Sequence, residues 1–239
     1  MKILFIEAKY DKPIKLDKPI IAKLPSKVGL VSSIQFLDRL PYLKSLIEGK
    51  ANLEKRRGGI SEPFDSLPVI KKLLNKNKQI KKAIIGGQIL GCDVKNAEKI
   101  KNSVDAFLYI GDGRFHPLGV ALSTKKNVFT FNPLNNHFSK IKQEEIDAYE
   151  RRKKAALVKF LHAQNVGVLV STKPGQYYDI KKLNVLEKKY KDKKFYTFVS
   201  ETIDYNQLEN FPFIEAWVNT ACPRIEEDFV LMNISEIIS

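Results

Sequence analysis

The stretch Ala106-Phe107-Leu108-Tyr109-Ile110-Gly111-Asp112-Gly113-Arg114-Phe115-His116-Pro117-Leu118-Gly119 decides the fold. Its first five residues are apolar without a break, which reads as a strand buried on both faces and therefore as part of a parallel sheet. Gly111 and Gly113 then make a tight turn, because glycine takes positive φ without steric cost. The residues after them open a short helix, so the amides of the turn are placed to face an anionic group.

The same rhythm runs along the chain. Apolar runs predict strands over Val28 to Ile34, Ala83 to Ile89, Ala106 to Ile110, Val128 to Phe131, Val166 to Ser171, Phe195 to Val199 and Ile214 to Val218. Amphipathic segments between them predict helices over Pro41 to Ile47, Leu67 to Leu74, Val94 to Lys101, Glu144 to Gln164 and Ile180 to Tyr190. Alternation of this kind is the pattern of a parallel α/β sheet, and here it forms two successive units of similar design. The breaker-rich Asn132-Pro133-Leu134-Asn135-Asn136 precedes the long charged helix and sets the expected boundary. That gives a first α/β domain over 25–135 and a second over 136–239. Residues 1–24 supply only one strand, Ile3 to Ile6, followed by a stretch rich in Lys, Pro and Asp from Tyr10 to Pro19.

Composition narrows the function classes. An apolar content of 44% over 239 residues supports a sizeable core and excludes a disordered chain. The opening Met1-Lys2-Ile3-Leu4-Phe5-Ile6-Glu7 reaches an acid too soon for a signal peptide, and no apolar run approaches the roughly 20 residues of a membrane span. A cytoplasmic protein is expected. The net charge of +14 invites a nucleic-acid reading, but only 7 of the 41 basic residues are arginine, the side chain whose fork reads bases and phosphates. Lysines scattered over helix faces and loops make a solvated positive surface, able at most to steer an acidic macromolecule.

The chain holds two cysteines, Cys92 in Gly86-Gly87-Gln88-Ile89-Leu90-Gly91-Cys92-Asp93 and Cys222 in Trp217-Val218-Asn219-Thr220-Ala221-Cys222-Pro223-Arg224-Ile225. Each closely follows a predicted strand, at the edge where open α/β sheets place their ligands. Two cysteines in an intracellular chain leave thiolate chemistry or inert burial as a small hydrophobe. Other segments fall at the same kind of position. Thr172-Lys173-Pro174-Gly175-Gln176 follows the first strand of the second unit, Gln35 closes the strand that begins at Val28, and Arg224 lies beside Cys222. Taken singly, Gly111 and Gly113 are a turn, His116 a packing or capping residue, Gln176 a loop polar group and Arg224 a surface cation. A lone G-x-G without its downstream acid is weak.

Together, the strings GQILGCD, YIGDGRFHPLG, STKPGQ and WVNTACPRI resemble the diphthamide-synthesis family of 2-(3-amino-3-carboxypropyl)histidine synthases of archaea and eukaryotes. The similarity runs from about Ile3 to Ile234. The resemblance implies that the two units are the second and third of a three-domain architecture, with their sheet edges facing a shared cleft. It further implies a 4Fe-4S cluster bound by three cysteines, one per domain, with the fourth iron open to S-adenosylmethionine. On the same resemblance the reduced cluster would cleave the bond between sulfonium sulfur and methionine γ-carbon, and the resulting 3-amino-3-carboxypropyl radical would be added to a histidine of translation elongation factor two.

On that resemblance Cys92 and Cys222 are metal ligands, and soft thiolates suit such clusters. Gln35, Gly111, Gly113, Arg114, Gln176 and Arg224 are the candidate cofactor-binding residues, with Arg224 able to pair with a carboxylate through its planar fork. Arg224 and His116 are the candidate catalytic side chains. The family's amino-terminal domain, source of its first cysteine, has no counterpart here. Three sources of a third ligand stand open: a separate chain carrying that domain, a homologous subunit that this chain assists, or a non-cysteine ligand such as His116 or a second copy. The alternative functions are a non-catalytic or accessory subunit of that enzyme and a cluster-free S-adenosylmethionine-binding module.

Overall fold

The computed structural model describes residues 9–49, 81–90, 93–174, 176, 183–222 and 231–238. Contacts divide the chain into two compact units, Met1–Ile141 and Lys142–Ser239.

In the first unit, strands β1 (Lys27–Ser32), β2 (Lys82–Gln88), β3 (Ala106–Ile110) and β4 (Asn127–Asn132) are parallel, and β5 (His137–Lys140) runs antiparallel to β4. Their order in the sheet is β2-β1-β3-β4-β5. The central strands are buried on both faces, so they read as unbroken apolar runs. One face carries Val28, Leu30, Leu108, Ile110 and Phe131, packed against Leu40, Leu43 and Ile47 of helix α2 (Leu40–Ile47). Ile14, Leu16 and Leu24, which flank helix α1 (Lys18–Lys23), join the same core. The other face is covered by α3 (Lys95–Ile100) against β1 and β2, and by α4 (Phe115–Thr124) against β4.

In the second unit, β6 (Asn165–Ser171), β7 (Lys194–Ser200), β8 (Ala216–Asn219) and β9 (Met232–Asn233) form an all-parallel sheet in the order β7-β6-β8-β9. Helix α5 (Gln143–His162) enters through a bond from Lys142 N–H to the Glu145 carboxylate, 2.8 Å. With α6 (Asn184–Lys189) and α7 (Ile234–Ile238) it buries Phe160, Leu186 and Ile237 against Val166, Val168, Val170 and Val218. Leu169, Ile214, Trp217 and Leu231 form the opposite face, ringed by Phe198, Leu208 and Phe211.

The two sheets share one plan at the level of single residues. In each, the first strand sits inside, the second on one side, the third and fourth on the other. Lys81 precedes β2 and gives its Nζ to carbonyls of Ile21, Ala22 and Leu24 at the end of α1; Lys193 precedes β7 and gives its Nζ to Leu161 (2.8 Å) and Ala163 (2.7 Å) at the end of α5. Asp105 precedes β3 and accepts from Lys27 N–H at 3.0 Å, as Glu215 before β8 accepts from Asn165 N–H at 2.8 Å. Gly29 lies beneath Phe107 and Gly167 beneath Trp217, where an added Cβ would strike the ring.

Several boundaries differ from those expected. The first strand stops at Ser32, and Gln35 belongs to a 3-10 helix over Ile34–Arg39 instead of closing the strand. The last long strand runs over Ala216–Asn219, so Ile214 falls outside it and the polar Asn219 inside. The long helix ends at His162, ahead of Gln164, whose N–H is held by Glu215. β5 pairs with β4 beyond the breaker-rich turn, so the division of contacts falls at Ile141. The expected strand Ile3 to Ile6 and helix Leu67 to Leu74 lie outside the described residues.

Candidate functional site

In an open parallel sheet the chain leaves neighbouring strands in opposite directions at one point, and the crevice there receives ligands. In the first unit that point lies between β1 and β3. The segments leaving them are laced together by Ser33 N–H on the Ile110 carbonyl, 3.2 Å. Gln35 is exposed, its side-chain oxygen accepting from the Ser33 hydroxyl at 3.1 Å. Gly111 and Gly113 both take positive φ, 154° and 76°. A Cβ on Gly111 would come within 2.5 Å of the Tyr109 hydroxyl, so only glycine fits.

The candidates Arg114 and His116 lie beside this turn, with Asp112 between its two glycines. Asp112 is exposed, with Oδ1 accepting from Asn132 Nδ2 at 2.8 Å, and its carbonyl accepts from the Tyr109 hydroxyl at 3.4 Å. Arg114 turns its guanidinium to β5, donating to the Ser139 hydroxyl at 2.8 Å and the Lys140 carbonyl at 3.0 Å. His116 is half-buried and stacks on Tyr109, ring centroids 5.9 Å apart at 9°. Gln35, Gly111, Gly113, Arg114 and His116 therefore share one sheet edge. Cys92 lies outside the described residues; Leu90 and Asp93, on either side of it in sequence, exchange two backbone bonds of 3.2 and 3.1 Å.

The corresponding point of the second unit lies between β6 and β8. Thr220, just past β8, ties itself to β6, its N–H and hydroxyl both donating to the Leu169 carbonyl at 3.1 and 2.8 Å. Gln176 is half-buried and bonds through its N–H to the Lys173 carbonyl. Cys222 is a half-buried free thiol just past β8. Its carbonyl accepts from Asn219 Nδ2 at 3.2 Å; the same amide reaches Asn233 Oδ1 at 3.2 Å, while Asn219 Oδ1 accepts from Ala221 N–H at 3.0 Å. Arg224 lies outside the described residues. Sequence reading missed Asn219; the signal available was an amide at the end of an otherwise apolar strand.

Among the described residues no three His, Cys, Asp or Glu side chains form a group able to hold a metal ion. None of the described helices is long and apolar enough to cross a membrane. Among the described residues, two shifted ionisations lie at the opposite edge: burial lowers Lys81, and the backbone amides of Asn165 and Gln164 hold the Glu215 carboxyl below its ordinary range.

The family model for diphthamide synthesis proteins matches residues 1–229. The chain belongs to that family. Among its relatives is the 2-(3-amino-3-carboxypropyl)histidine synthase of Pyrococcus horikoshii, 38% identical over 59% of this chain and 40% of the relative. Subunit 1 of the same synthase from Schizosaccharomyces pombe is 30% identical over 85% of this chain and 43% of the relative. The chain thus spans less than half the length of these curated relatives. The crystal structure of Dph2 from Pyrococcus horikoshii with a 4Fe-4S cluster superposes with a TM-score of 0.64 and 26% identity, over 91% of this chain and 57% of that one. For a diphthamide-synthesis protein, a mixed α/β fold with mostly parallel sheets is what the expected rhythm required.

Proposed function

We propose that this chain carries part of the machinery for the first step of diphthamide biosynthesis. In that step a 3-amino-3-carboxypropyl group passes from S-adenosylmethionine to a histidine of translation elongation factor two. The observation that carries the reading is Cys222: a half-buried thiol at the carboxyl edge of a parallel sheet, its loop fixed by a fully buried asparagine, in a member of this family. A thiol in that setting fits an iron-sulfur ligand, because a soft sulfur donor is available at the ligand edge. Cys92 and Cys222 would be two ligands, and the third would come from outside these 239 residues, most simply from a partner chain. The bound cluster, once reduced, supplies the electron that breaks the sulfonium sulfur to γ-carbon bond.

The chain's own residues bind and orient. The Gly111 to Arg114 amides and Gln35 would hold polar groups of S-adenosylmethionine at the first unit's edge; Gln176 and Arg224 would do so at the second, Arg224 by pairing with a carboxylate. His116, stacked on Tyr109, would stand beside the reacting group.

Anaerobic reconstitution with iron and sulfide, followed by iron and sulfide counting and absorption in the thiolate-to-iron charge-transfer region, tests the reading. A cluster that forms in the wild type and is lost in both Cys92→Ser and Cys222→Ser supports it. A cluster indifferent to either substitution overturns it.

A further inference from the structure

The shared plan of the two units aligns them residue by residue, and the alignment reaches the functional edge. Asp105 and Glu215 occupy one position, Phe107 and Trp217 the next landmark, each over its glycine. Continuing in step, Tyr109 matches Asn219 and Asp112 matches Cys222. The match is more than a count. The Tyr109 hydroxyl donates to the Asp112 carbonyl at 3.4 Å, and Asn219 Nδ2 donates to the Cys222 carbonyl at 3.2 Å, each reaching three residues forward to hold the loop. In sequence the same step pairs Arg114 with Arg224.

The first unit therefore presents a carboxylate where the second presents a thiol. Asp112 is exposed and oriented: Asn132 fixes Oδ1 at 2.8 Å, and Oδ2 has no hydrogen-bond partner among the described residues. Positive φ at Gly111 and Gly113 gives the backbone on either side a shape that other residues rarely adopt. The adjacent Arg114 has its guanidinium bonded to β5. Asn132, at the end of β4, turns the carboxylate toward the β4 side of the turn, and an oriented carboxylate oxygen at this sheet edge is suited to a positive group on a ligand.

We infer that Asp112 binds a cationic group of the ligand held at this edge. The inference rests on the function proposed above, in which that ligand is S-adenosylmethionine, which carries a sulfonium and an α-ammonium. Asp112 is then a binding residue for a positive group of that ligand.

The test is calorimetric binding of S-adenosylmethionine and of S-adenosylhomocysteine, which lacks the sulfonium charge, to reconstituted wild-type protein and to Asp112→Asn. Asparagine keeps the shape and can still accept from Asn132, so the fold is spared. The variant should retain its iron and bind S-adenosylmethionine roughly tenfold more weakly, the scale of one lost charge-assisted hydrogen bond. An equal loss for S-adenosylhomocysteine identifies the ammonium as the group bound; a loss for S-adenosylmethionine alone identifies the sulfonium. Undiminished affinity of the variant overturns the inference, as does a fall in its iron content, which would make Asp112 part of the cluster site. A wild type that takes up iron but binds neither compound sinks the proposed function itself.

Discussion

The side-chain amide of Asn219 donates to the main-chain carbonyl of Cys222 at 3.2 Å, which ties the loop carrying the thiol to the last residue of a buried strand. Asn219 is fully buried and satisfies three partners, Cys222, Ala221 and Asn233. Asn219→Ala leaves those groups unpaired, so the second unit should lose about 1–3 kcal/mol of stability. Iron retention after reconstitution should fall further than in Lys188→Ala, a change at an exposed position of α6. Retention equal to wild type in a folded Asn219→Ala protein would show that the loop needs no such tether.

Close approach of ring to backbone is the device by which both sheets admit their aromatic third strands. A Cβ on Gly29 would come within 2.7 Å of Phe107, and one on Gly167 would press still closer on Trp217. Gly167→Ala should cost about 1–3 kcal/mol by overpacking, and more than Gly29→Ala. Adding Trp217→Leu should recover part of the loss. A double-mutant cycle from urea unfolding measures the coupling, and additive effects would contradict the contact.

The central strands were legible because burial on both faces leaves no polar alternation: Phe107 to Ile110 and Val166 to Val170 announce themselves. What stayed hidden depends on tertiary partners. β5 is short and half polar, His137 to Lys140, and exists because it lies against β4 with Ser139 and Lys140 receiving the Arg114 guanidinium. β9 is two residues long, too short for any pattern, and Asn219 belongs to its strand only because Asn233 and the Cys222 loop satisfy its amide. At the site, glycine chemistry gave away the turn at Gly111 and Gly113. The importance of Asp112 emerged only when the units could be aligned by their hydrogen bonds, since carboxylate and thiol share no sequence likeness.

Lys81 and Lys193 close the helices that precede the first strand of each unit. Lys193 Nζ satisfies Leu161 and Ala163 carbonyls at the end of α5 and lies over the Phe160 ring, 5.5 Å from its centroid. Lys193→Met keeps the aliphatic stem but orphans both carbonyls, and should destabilise by about 1–3 kcal/mol. Lys81→Met should do the same for the first unit. The exposed Lys188→Met should change stability by no more than about 0.5 kcal/mol. Chemical denaturation of the three variants separates the buried caps from the surface charge; equal effects would refute the capping role.

Acid stability should bear the mark of Glu215. Its carboxylate accepts from the N–H groups of Asn165 and Gln164, at 2.8 and 2.6 Å, and these bonds, with the nearby Lys193 charge, hold its ionisation below the ordinary carboxylate range. A group whose folded value is lowered contributes stability that is fully present above its unfolded value, about 4.3 for glutamate, and is lost as the pH falls toward the folded value. In that interval the unfolded chain binds more protons than the folded one, so stability must rise with pH. Glu215→Gln keeps an acceptor for the two amides but removes the titration. Its melting temperature should therefore fall less steeply than that of the wild type as the pH is lowered from above about 4.3 toward the folded value. Parallel melting curves for the two proteins across that range would show that the carboxylate charge adds nothing to the junction between α5, β6 and β8.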